Sequence, residues 1–125
     1  MSLKFLVVDD SVTMRRIVAN SLKNLGYADF IEAGDGKEAL TKLATDDSIN
    51  FVITDWNMPV FSGLDLIKAI RSDDKLAKLP VLMVTTRGIK DDIVDALQSG
   101  VNNYVVKPFT PQILKEKIDQ ILATA

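Results

Sequence analysis

The chain reads as an α/β protein, a doubly wound parallel sheet with helices on both faces. Three observations carry that expectation. Apolar runs alternate with amphipathic stretches five times, a (βα)5 pattern. Four of the five apolar runs are continuous Val/Ile/Leu/Phe stretches, as strands covered on both faces are. A length of 125 residues suffices for one domain and hardly two, so a single domain over residues 1–125 is expected. Right-handed crossovers leave few topologies, and the flavodoxin-like strand order 2-1-3-4-5 suits five strands of this size.

The first strand covers residues 4–8 and ends at Asp9-Asp10. Helix one starts near residues 11–13, where Ser11 or Thr13 could cap it. Met14, Ile17, Val18, Leu22 and Leu25 fit a 3.6-residue period, and Gly26 is a plausible stop. Residues 29–33 form a short second strand. A Gly34-Asp35-Gly36 turn follows, then a helix over residues 37–44 with Leu40 and Leu43 inward. Strand three is residues 51–55; Met58-Pro59 then biases the chain away from helix. Helix three runs over 64–72 with Leu64, Ile67 and Ile70 on one face. Strand four is 80–84, ending at Thr85-Thr86. Helix four covers 90–99, with Ile93, Val94 and Leu97 as its apolar positions and Gly100 stopping it. Strand five is 103–106, ending at Lys107-Pro108. Helix five runs over 111–123, its first turn tolerating Pro111.

Composition narrows the chemistry. The chain is 47% hydrophobic and 26% charged, ordinary for a soluble globular fold. A net charge of −2 advertises no nucleic-acid partner. No apolar run approaches a membrane span. No secretory signal precedes the first strand, since Met1-Ser2-Leu3-Lys4 leads straight into it, and a cytoplasmic protein is expected. There are no cysteines and no histidines, which excludes disulfides, thiolate or imidazole metal sites, and Ser/His/Asp or Cys/His catalysis. Any metal would sit on oxygen ligands, so magnesium, calcium or manganese.

In the order 2-1-3-4-5, strands one and three are neighbours and the switch point of the sheet lies between them. Asp9, Asp10 and Asp55 therefore converge, and Thr85 and Lys107 end strands four and five on the same edge. Three gathered carboxylates repel one another unless a cation is present. With Lys107 they carry a net charge of −2, which one Mg2+ cancels. Thr85 offers a hydroxyl and Lys107 an ammonium, both suited to phosphoryl oxygens. A carboxylate is then the natural covalent nucleophile, giving an aspartyl-phosphate. Each residue alone has a blander reading. Asp9-Asp10 could only favour a helix dipole, Asp55 could only end a strand, and Thr85 could cap a turn. Lys107 could be a solvated lysine, and Tyr104 a core ring. The coincidence at the ends of four strands is what favours a site.

Asp9-Asp10, Asp55 with Met58-Pro59, Thr85 and Lys107-Pro108 together resemble the receiver domain of two-component response regulators, over essentially the whole chain. Within that family the closer likeness is to the chemotaxis regulators. It is carried by Met14-Arg15-Arg16, by the residues 55–59, by Val101-Asn102-Asn103-Tyr104 and by the residues 107–110. The resemblance implies that Asp55 takes a phosphoryl group from a phosphohistidine on a partner kinase. It implies Mg2+ held by Asp10, Asp55 and the backbone carbonyl of Asn57, with Asp9 acting mainly through a bound water. Thr85 and Lys107 would bind the phosphoryl oxygens, on a Lys107–Pro108 peptide that is cis in the family. Tyr104 would be the switch aromatic, turning inward as Thr85 moves, with helix four, strand five and helix five as the readout face.

On this resemblance the chain is not an enzyme beyond self-catalysed phosphoryl transfer and autodephosphorylation at Asp55. Its length leaves no room for an output domain. Its output would be a protein contact, in chemotaxis the flagellar motor switch, with a phosphatase as a further partner and a monomer expected. Arg87 departs from the acid many chemotaxis members carry there, and bears on phosphoryl lifetime and phosphatase recognition. Thr86 is bulkier than the Ala or Gly often found beside the switch threonine, and Gly88 loosens the following loop. Two alternatives stand beside this reading. One is a stand-alone receiver in a non-chemotaxis phosphorelay. The other is a Mg2+-dependent small phosphatase, which would want a cap or substrate pocket.

Overall fold

The computed structural model describes residues 3–58 and 60–124. Met1, Ser2 and Ala125, and Pro59 of the loop after the third strand, lie outside the described residues. Strands and helices alternate along the chain. They are β1 (Phe5–Val8), α1 (Val12–Asn24), β2 (Phe30–Ala33), α2 (Gly36–Thr45), β3 (Phe51–Thr54), α3 (Gly63–Ser72), β4 (Val81–Thr85), α4 (Lys90–Ser99), β5 (Asn103–Val106) and α5 (Pro111–Thr124). All strand pairs are parallel, in the order β2-β1-β3-β4-β5. The expected flavodoxin-like topology is the observed one.

Alternate residues of each strand point to opposite faces, and the core divides accordingly. Leu6, Val8, Val52, Val81 and Met83 pack towards α2, α3 and α4 with Leu43, Leu66, Ile67 and Ile70. Phe5, Val7, Phe51, Ile53, Leu82 and Val84 pack towards α1 and α5 with Leu22, Leu114 and Ile118. This is why the central strands carry no alternation of polar and apolar residues.

Local signals set the helix ends. Ser11 caps α1, its Oγ accepting from Met14 N at 3.2 Å. Asp35 caps α2 through Glu38 N at 2.8 Å. Ser62 and Asp65 form a reciprocal capping box at α3. Gly26 and Gly100 take positive φ just past α1 and α4, where a side chain would be strained.

Three inward assignments from periodicity are corrected. Ile17 is exposed on the flank of α1, whose buried stripe is Val18, Ala19, Ser21 and Leu22. Val94 and Leu97 are also exposed. Ala96 is the buried residue of α4 and Ile93 packs beside it, so the helix meets the body of the protein one position round from the expected stripe. In α3 the expected face holds: Ile67 and Ile70 are fully buried and Leu64 packs half-buried against the same cluster, with Leu66 fully buried beside them. Periodicity finds an apolar arc, but the neighbouring helices decide which part of it is covered.

Candidate functional site

The carboxyl ends of the strands place the chemistry. Asp9 N donates to Ala33 O at 3.2 Å, Asp55 N to Val8 O at 2.9 Å and Lys107 N to Thr85 O at 2.8 Å. The backbone ladder thus continues one residue past β1, β3 and β5 and fixes where each side chain leaves the sheet. Asp9, Asp10 and Asp55 each bring a carboxylate oxygen to within 4.8 Å of the others. Asp9 is buried, Asp55 half-buried and Asp10 exposed. Lys107 joins them from β5, its Nζ donating to Asp9 Oδ2 at 2.9 Å and to Asp55 Oδ2 at 3.4 Å. Its side chain is 8% exposed, so these are sheltered ion pairs rather than surface ones. Asp9 Oδ1 accepts from Ser11 N at 2.9 Å and Asp55 Oδ1 from Trp56 N at 2.7 Å.

The donor set is hard oxygen, concentrated in one cluster and short of positive charge. It fits a small divalent cation such as Mg2+. Asp10 is the carboxylate most open to one, because Asp9 already spends both oxygens on protein donors.

Gly63 allows this arrangement. Its amide donates to Trp56 O at 2.8 Å, and a Cβ on it would overlap the Asp55 carbonyl. Glycine is thus required where α3 begins, because the loop after β3 passes directly over it.

Thr85 is fully buried at the end of β4, its Oγ1 accepting from Arg87 N at 3.4 Å. Tyr104 is already turned inward. Its ring is buried, and its hydroxyl donates to the carbonyl of Arg87. Burial, followed by the nearby Asp92 carboxylate, pushes the Tyr104 phenol up to about 12. The Arg87 guanidinium lies 4.5 Å from the centre of the Trp56 ring. It also donates to Asn57 Oδ1 at 3.0 Å and pairs with Asp92 at 3.8 Å. The Lys107–Pro108 peptide is cis, as the resemblance implied. Asp9, Asp10, Asp55, Thr85 and Lys107 are therefore brought to one edge, with Asn57, Arg87 and Tyr104 beside them.

Two features of this edge were not foreseen. Arg87 ties the loop after β3 to the start of α4, a contact that needs Trp56 as a stacking surface. Arg15 reaches back from α1 and donates to the Asp9 carbonyl at 2.6 Å. The only signal for the latter was a cation near a helix N-terminus, where the dipole disfavours it.

Fold and site together define a receiver module. Residues 5–119 match the response regulator receiver domain family, and the chain belongs to that family. The chain is 54% identical to the chemotaxis protein CheY1 of Helicobacter pylori over 122 residues, covering 98% of each. It is 53% identical to the chemotaxis protein CheY of Pseudomonas aeruginosa, covering 95% of each. Among solved structures it resembles the chemotaxis protein CheY4 of Vibrio cholerae, with a TM-score of 0.88 at 33% identity over 97% of this chain and 99% of that one. A putative response regulator from Chloroflexus aurantiacus superposes with a TM-score of 0.91 at 31% identity over 98% of this chain and 99% of that one. No helix among the described residues is long and apolar enough to cross a membrane.

Proposed function

We propose that this chain is a phosphorylatable switch of a two-component phosphorelay, residues 1–125 forming one receiver domain with Asp55 as the phosphoryl acceptor. The observation that carries this reading is the meeting of Asp55, Asp9 and Asp10 with Lys107 beside a buried Thr85.

The donor is a phosphohistidine on a partner histidine kinase, since this chain has no histidine of its own. A lone pair on an Asp55 carboxylate oxygen forms the new O–P bond as the N–P bond breaks. The electrons of the broken bond return to the imidazole, which takes up a proton from solvent. Lys107 donates to a phosphoryl oxygen, exchanging one carboxylate contact for another anion. The Thr85 hydroxyl donates to a second phosphoryl oxygen. Asp10, Asp55 and the Asn57 carbonyl would hold Mg2+, with Asp9 assisting, and the cation would supply charge neutralisation for the phosphoryl group. Autodephosphorylation runs at the same centre. Water adds to phosphorus, the Asp55 O–P bond breaks, and carboxylate and phosphate are left.

The contacts of Thr85 and Lys107 with the added oxygens favour one arrangement of the loops after β4 and β5. That difference biases a two-state equilibrium. Moving such an equilibrium from mostly off to mostly on takes about 5.5 kcal/mol, within reach of a few charge-assisted bonds in a sheltered site. The readout is a protein contact on the face of α4, β5 and α5, where Val94, Leu97, Val106 and Ile113 are exposed. The relatives are named chemotaxis proteins; on the chemotaxis reading the target is the flagellar motor switch and the compartment the cytoplasm. A phosphatase partner would meet Arg87 beside the acceptor loop.

The test is direct. Mg2+ and then acetyl phosphate are titrated, following Trp56 emission and intact mass, with Asp55→Asn alongside. The expected result is a Mg2+-dependent emission change and one added phosphoryl mass, both dependent on Mg2+ and the mass absent in the variant. No mass gain from acetyl phosphate or from a phosphorylated kinase would sink the reading. Binding of the phosphorylated form to a purified motor-switch protein separates the chemotaxis output from another phosphorelay.

A further inference from the structure

We infer that Arg15 is a positioning residue of the divalent-cation site, acting through the Asp9–Asp10 peptide and held in place by Glu32. The inference rests on the Mg2+ reading above. Arg15 closes the first turn of α1, its own amide donating to the Ser11 carbonyl at 3.0 Å. That turn contains no acid, so the positive end of the helix dipole opposes a cation there. The side chain nevertheless folds back onto the sheet edge and is only 16% exposed. One guanidinium nitrogen donates to the Asp9 carbonyl at 2.6 Å, and Nε donates to Glu32 Oε1 on β2 at 3.2 Å.

The Asp9 carbonyl belongs to the peptide that leads into Asp10. Asp9 is already held at its amide by Ala33 and at its carboxylate by Ser11 and Lys107. Arg15 adds the remaining restraint, on the peptide plane. Asp10 itself makes no hydrogen bond or ion pair among the described residues, so the backbone before it sets where its carboxylate points. A cation ligand needs that direction fixed in advance.

Charge and position predict opposite signs, which makes the idea decidable. Removing a cation near a divalent site strengthens metal binding by Coulomb's law. Losing the restraint on Asp10 weakens it. The Kd for Mg2+ is read from Trp56 emission for the wild type, Arg15→Ala, Arg15→Lys and Glu32→Gln, with metal-free thermal midpoints to confirm folding. Arg15→Ala should weaken Mg2+ binding by about tenfold, the lower end of what an outer partner of a metal ligand contributes. Arg15→Lys keeps the charge without the fork and should fall between the two. Glu32→Gln keeps Arg15 but loosens it, and should weaken binding in the same direction by less. At saturating Mg2+ the rate of phosphoryl uptake from acetyl phosphate should return to that of the wild type, only the Mg2+ requirement having moved. Unchanged or tighter Mg2+ binding in Arg15→Ala overturns the inference, as does a rate loss that saturating Mg2+ leaves in place. Should Arg15→Ala not fold, the other two variants decide in the same way. A wild type that shows no Mg2+ response would instead remove the metal reading beneath it.

Discussion

Lys107 is the residue that lets three carboxylates share one sheet edge. It is buried to a degree unusual for lysine and spans Asp9 and Asp55. Tyr104, buried although it stands on the edge strand β5, shows how the same edge handles a neutral donor. Its hydroxyl serves the Arg87 carbonyl, and burial beside Asp92 pushes its pKa from 10.0 to about 12. In the unfolded chain the phenol ionises near its ordinary value, so between 10 and 12 the unfolded state holds fewer protons than the folded one. Stability from this group is therefore fully present below pH 10 and is lost as the pH rises through about 12. A spectrophotometric titration should show one late phenolate transition that Tyr104→Phe removes. The difference in unfolding free energy between wild type and Tyr104→Phe should shrink across the same window; a constant difference would show that Tyr104 is not shifted. At this scale the sequence was informative wherever a candidate residue ends a strand, because strand order alone brings Asp9, Asp10, Asp55, Thr85 and Lys107 together. It was silent on the partners of Arg87 and Arg15. Those depend on which loop lies beside which helix, and no spacing along the chain encodes that.

Elements were legible in order and type, and less so in orientation. All five strands and five helices fall where apolar runs and caps place them. Part of each apolar arc departs from this: Ile17 of α1 and Val94 and Leu97 of α4 stay exposed, because a helix packed on a sheet covers only part of its apolar arc. Arg71 is a similar case. Its guanidinium donates to the carbonyls of Gly100, Ala77 and Leu79 and to Asn102 Oδ1, contacts that no spacing along the chain announces. It thereby ties the end of α3 to the turns before β4 and β5. Burial without a paired carboxylate lowers its pKa from the ordinary guanidinium value. The observed faces give a stability prediction. Leu66→Ala in α3 removes a fully buried side chain and should cost about 2–5 kcal/mol in chemical denaturation. Leu97→Ser in α4 touches an exposed position and should stay within about 0.5 kcal/mol of wild type. A comparable loss for Leu97→Ser would mean that α4 packs through the face periodicity suggested.

For the whole molecule, the acidic cluster makes folding and metal binding one problem. Folding draws Asp9, Asp10 and Asp55 together against their mutual repulsion, and Lys107 offsets only part of it. The metal-free fold is therefore less stable than the same fold with one of these charges removed. Asp10 is the charge to remove, because it is exposed and makes no structural bond that a substitution would break. Asp10→Asn should raise the thermal midpoint in the presence of a chelator. The order should reverse when Mg2+ is added. A ligand at 100 times its Kd adds about 2.7 kcal/mol to the stability of the state that binds it, which amounts to several degrees of midpoint for a domain of this size. The wild type should gain that increment and Asp10→Asn most of it should lose, so their melting curves cross as Mg2+ rises. A variant less stable than wild type without metal would show that Asp10 supports the fold rather than straining it. Curves that keep their order at high Mg2+ would show that the cation does not use Asp10. Only a site that the fold holds at some cost to itself, and that a cation then relieves, produces the crossing.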